Sequence, residues 1–106
     1  MTNLQVAQTI LQQLGGGRFV AMTGSKDFVG SENGLSFRVG RNDKGITHVR
    51  ITLTAMDDYQ CEFLKIRGAS VKPIAFRDGV YADQLQEVFT SKTGLYTSLG
   101  TMGRAA

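Results

Sequence analysis

Catalysis by side chains requires groups of matched pKa held within reach of one another, and this chain offers few. His48 is its only histidine and Cys61 its only cysteine. No nucleophile stands in a recognisable elbow, and Cys61, between Gln60 and Glu62, has no histidine beside it to hold a thiolate. One cysteine and one histidine cannot build a structural zinc site. Asp57-Asp58 lacks further oxygen ligands at calcium-loop spacing. The expectation is a protein that is not an enzyme and holds no metal or cofactor. Cys61 is then a buried thiol, His48 a surface or sheet-face residue, and Asp57-Asp58 a turn.

Two glycine-rich stretches invite a phosphate-loop reading. Gly15-Gly16-Gly17-Arg18 follows a helical pattern instead of preceding one, the reverse of the order that aims helix amides at a phosphate. Thr23-Gly24-Ser25-Lys26 lacks the GxxxxGK[ST] spacing. A helix cap and a loop explain them better.

The basic residues carry a more specific signal. The net charge is only +3, but residues 18–54 carry Arg18, Lys26, Arg38, Arg41, Lys44 and Arg50 against Asp27, Glu32 and Asp43. Residues 59–77 carry Lys65, Arg67, Lys72 and Arg77 against Glu62, while acids gather at Asp57-Asp58, Asp78, Asp83 and Glu87. Such segregation points to a basic and an acidic surface, or to a solvated exterior with chance clustering. Arg38, His48 and Arg50 alternate with apolar residues among Ser36, Thr52 and Thr54, so they share one face of two strands. Clustered cations suit phosphates, and an exposed ring suits base stacking. The candidate nucleic-acid-binding residues are therefore Lys26, Arg38 and Arg50 for phosphate and Phe28, in a polar loop, for stacking. No helix-turn-helix or RNP pattern accompanies them.

The elements that must position these residues follow from periodicity. Leu4, Ala7, Ile10, Leu11 and Leu14 recur every three or four residues and predict a helix over 4–14. Thr2 and Gln5 match a capping box, and Gly15 fits the stop. The face with Gln5, Gln8, Gln12 and Gln13 suits hydration or contact with another surface. Alternation predicts strands over Arg18–Thr23, 35–39, 46–54, Tyr59–Arg67 and Val71–Arg77, with a glycine- and serine-containing loop between the first two. The pattern slips between Phe63 and Leu64, which implies a bulge, and Pro73 restricts the last strand to a sheet edge. A second helix runs from Gly79 or Val80 to about Thr93, with Tyr81, Leu85, Val88, Phe89 and Lys92 inward and Gly94 as the stop. The expected fold is α+β: an N-terminal helix, an antiparallel meander of four to five strands and a C-terminal helix, both helices on one sheet face and the other face open.

At 106 residues the chain fits one domain, over 1–99, with 100–106 as a disordered tail. No apolar run approaches the roughly 20 residues of a membrane span, and no signal peptide is evident. A lone cysteine suits a reducing, cytoplasmic setting.

The segments ILQQLGGGRFVAMTG (Ile10–Gly24) and GVYADQLQEVFTSKTGLYTSL (Gly79–Leu99) resemble, in order and spacing, the two ends of a family of small uncharacterised phage and mobile-element proteins. The resemblance spans nearly the whole chain, with a more variable middle and an individual extension past Leu99. It implies a phage or prophage origin and a bacterial host cytoplasm, and it supplies no activity and no catalytic residue. Two binding roles follow as expectations. One is single-stranded nucleic acid on the open basic face. The other is regulation or inhibition of a host protein, with Asp83 and Glu87 docking on a basic surface, or pairing of two copies as a homodimer.

Overall fold

The computed structural model describes residues 4–97. The expected cap at Thr2 and the expected tail at 100–106 lie outside the described residues. The order is α1 (Leu4–Leu14), α2 (Gly16–Thr23), β1 (Lys26–Gly30), β2 (Gly34–Arg38), β3 (His48–Leu53), β4 (Tyr59–Arg67), β5 (Ser70–Val80), a 3₁₀ turn (Ala82–Gln84) and α3 (Leu85–Thr93). The five strands form one antiparallel meander in the order β1-β2-β3-β4-β5. This is the expected α+β fold, with helices at both ends of the chain.

One expected strand is a helix. Gly15 and Gly16 take φ values of +126° and +61°, which redirects the chain after α1 at positions where a Cβ would be strained. Residues 16–23 then coil for two turns. Phe19 and Thr23, one turn apart, are buried, and the Thr23 hydroxyl donates to the Phe19 carbonyl oxygen at 2.7 Å. The apolar run from Phe19 to Met22 is too short for its period to separate helix from strand. The first strand lies later, at Lys26–Gly30, inside the stretch expected to be a loop. One extra residue between Lys26 and Val29 bulges it, and Asp27 there has φ +57°.

The central hairpin is as expected. β2 pairs with β3 through Leu35↔Ile51 and Phe37↔Val49, and Asn42 organises the connection. Its Nδ2 donates to the Gly40 and Ile46 carbonyl oxygens at 2.9 and 2.8 Å, while its Oδ1 accepts from the Lys44 and Ile46 amides. β4 and β5 pair with two register shifts, one of them at the Phe63/Leu64 slip. β5 is an edge strand, as Pro73 requires, but it runs on to Val80. α3 consequently starts at Leu85, later than expected, and Tyr81 is exposed instead of inward. Gly94, at φ +79°, caps it.

All three helices cover one sheet face. Ala7, Ile10 and Leu14 of α1, Phe19 of α2 and Leu85, Val88 and Phe89 of α3 pack on Leu35, Phe37, Val49, Ile51, Cys61 and Phe63. At the centre, Phe19 meets Phe37 and Phe89 edge-on at 5.6 and 5.1 Å between ring centroids, a geometry favoured by the aromatic quadrupole. The Tyr59 hydroxyl donates to Gln13 Oε1 at 2.8 Å and Gln86 Nε2 donates to the Gln13 carbonyl at 3.1 Å, tying α1 to β4 and α3. So Gln13, at least, is held by protein contacts.

Candidate nucleic-acid interface

Cross-strand partners project on the same side of a sheet, so the pairing defines the helix-free face row by row. One row runs Lys26, Arg38, His48, Leu64, Pro73 from β1 to β5. The next runs Val29, Ser36, Arg50, Glu62, Phe76, and a third carries Gly34, Thr52 and Gln60. Lys26, Arg38 and Arg50 are thus brought together, all exposed, with Ser36 opposite Arg50 and Thr52 in the next row beyond it. Lys26 reaches this face from a strand directly opposite Arg38, where the sequence suggested a flanking loop.

Phe28 is elsewhere. It is half-buried against the core, its ring 5.3 Å from that of Phe37 beneath the helices. The bulge in β1 sets it inward. The exposed ring on the open face is Phe76, 54% exposed and directly opposite Glu62. The residue extra to β5 at Ile74 shifts the alternation there, so the orientation of Phe76 is not readable from β5 alone. With Val71 and Pro73 it makes the β4–β5 side of the face more apolar than the β1–β3 side.

The electrostatics sort these residues further. Arg50 Nη1 lies 3.2 Å from Glu62 Oε1, with both side chains partly in water. Burial, and then the neighbouring Arg38 charge, hold the His48 imidazole below its usual pKa of 6.5, while Asp27 opposes them. His48 is therefore neutral near pH 7 and adds no cation to the face. Its Nδ1 sits 2.7 Å from the Thr47 hydroxyl.

Cys61 is buried on the helix side, and burial pushes its thiol up to about 12, with the Arg77 charge acting in the opposite sense. A thiol so protonated is a poor nucleophile. Among the described residues no group of three or more histidine, cysteine, aspartate and glutamate side chains is placed to hold a metal ion. A groove of about 930 Å³ on the helix side is lined by Gln13, Asp83, Gln86, Glu87, Thr90 and Ser91 among others. It contains Asp83 and Glu87, the acids expected to dock on a basic surface. Among the described residues no helix is long and apolar enough to cross a membrane. No family model, curated protein or solved structure matches the chain.

Proposed function

We propose that this protein binds single-stranded nucleic acid across its helix-free sheet face and catalyses no reaction on it. One observation carries the reading: Lys26, Arg38 and Arg50 share that face with a solvent-exposed ring, Phe76, two strands from Arg50. Two strand spacings are about 10 Å, so phosphate contact and base stacking fall within one short stretch of chain. The cations supply a salt-dependent attraction that does not depend on sequence. The resemblance of the end segments supports a phage or mobile-element origin and a bacterial cytoplasm as the setting.

Fluorescence anisotropy with a labelled oligonucleotide tests this. Affinity should fall with salt with a log–log slope of roughly −2 if all three cations meet phosphates. Replacing Arg38 and Arg50 together by alanine should remove most binding while the protein remains folded, since exposed strand residues each alter stability by only about 0.5 kcal/mol. Phe76→Ala should weaken binding by roughly 1–3 kcal/mol. Phe28→Ala should act on stability instead. No binding at low salt overturns the reading.

A regulator of a host protein is the second reading, favoured by the groove with Asp83 and Glu87 between α1 and α3. Binding to a basic partner that is lost in Asp83→Asn/Glu87→Gln, with no affinity for oligonucleotides, would establish it instead.

A further inference from the structure

We propose that Glu62 makes the open face selective for guanine, an inference that rests on the single-strand reading above. Two acids stand near these cations: Asp27 in the β1 bulge, whose charge acts on His48, and Glu62, which lies directly opposite Arg50 in the second row. A carboxylate beside Arg50 weakens phosphate contacts nearby, and the exposed ion pair it makes there returns little stability. Its placement gives a reason for it. Glu62 stands between Arg50 on β3 and Phe76 on β5, directly opposite both.

Opposed side chains on neighbouring strands have Cβ atoms about 5 Å apart, so a base stacked on the Phe76 ring can turn its edge toward Glu62. Arg50 orients the carboxylate through Oε1 at 3.2 Å, and Glu62 still keeps 37% of its side chain in solvent. An ionised carboxylate only accepts hydrogen bonds. Guanine alone presents two parallel donors, N1–H and the N2 amine, which match two carboxylate oxygens. Cytosine and adenine offer one amine beside a ring acceptor. Thymine offers one imino group between two carbonyl oxygens that repel the carboxylate. The expected preference is guanine first and thymine last.

The test uses the whole protein, an all-thymidine oligonucleotide, the same oligonucleotide with one central dG, and a third with inosine there, which lacks the N2 amine. The dG oligonucleotide should bind about tenfold more tightly than all-thymidine, near the low end of what a bidentate base contact supplies. Inosine should fall between them. Glu62→Gln should abolish the preference while binding all-thymidine at least as tightly as the parent, because a negative charge beside the phosphate contacts is removed. Phe76→Ala should also abolish it. Equal binding of all three oligonucleotides by the parent protein, or a preference that survives Glu62→Gln, overturns guanine selectivity and leaves single-strand binding standing. Binding to none of them overturns both.

Discussion

Along β2 and β3, Leu35, Phe37, Val49 and Ile51 point toward the helices while Ser36, Arg38, His48 and Arg50, interleaved with them, point away. The first set is almost fully removed from water, each residue being at most 4% exposed. The second keeps its charges hydrated, and its one ion pair is of the exposed kind that contributes at most about 1 kcal/mol. Stability is therefore concentrated on one side of the sheet, and the side proposed to bind is largely free of a structural task. Substitutions on the two faces should separate cleanly, and that separation can be broken.

The largest effect is expected at Phe89, which contacts Phe19 and Phe37 at the centre of the helix-covered face. Phe89→Ala should cost roughly 3–5 kcal/mol and lower the thermal midpoint by more than about 10 °C. A midpoint close to the parent value would mean that α3 does not seal the core. An intermediate effect is expected at Gly34, where strand spacing and not face is at issue. A Cβ there would fall 2.4 Å from the Ile51 carbonyl oxygen, so Gly34→Ala must displace backbone between β2 and β3. A loss of about 1–3 kcal/mol in urea unfolding is expected, and no loss would show that this pair can spread freely.

The smallest effect sharpens the comparison from the open side. The folded His48 pKa lies below the unfolded value, so the unfolded chain binds more protons between the two. Stability should then fall as pH drops below about 6.5 toward the folded pKa, and this part of the pH dependence should vanish in His48→Gln. A pH series of urea midpoints compares the two proteins. Identical pH profiles would place His48 in an environment no drier than water.

The two faces were legible in the sequence to different degrees. Arg38 and Arg50 could be placed outward because β2 and β3 alternate without interruption, and Val49 and Ile51 could be placed inward for the same reason. The break between Phe63 and Leu64 was visible as two apolar residues in succession. Legibility failed where a local signal had two solutions. Arg18–Thr23 fits a strand until Gly15 and Gly16 turn the chain so that Phe19 and Thr23 meet the core one helical turn apart. Phe28, expected to be exposed, lies inward within the β1 bulge, and Phe76, to which the sequence ascribes no role, is exposed just past the extra residue of β5; in an edge strand one extra residue reverses inward and outward. Tertiary pairing decides those parities, and local composition carries no record of it.

Pro73 has a further consequence for the protein at high concentration. A five-stranded meander ends in two free margins, and a bare margin can recruit a strand from any passing chain and grow into a fibril. At one margin Pro73 lacks an amide hydrogen, Lys72 beside it carries a charge, and two register shifts bend the strand. At the other, β1 is only five residues long and is itself bulged. Both margins are poor templates, so the exposed Val71, Ile74 and Phe76 can remain in water without seeding polymerisation. Blunted edges thus coexist with an apolar, ring-bearing surface that stays exposed.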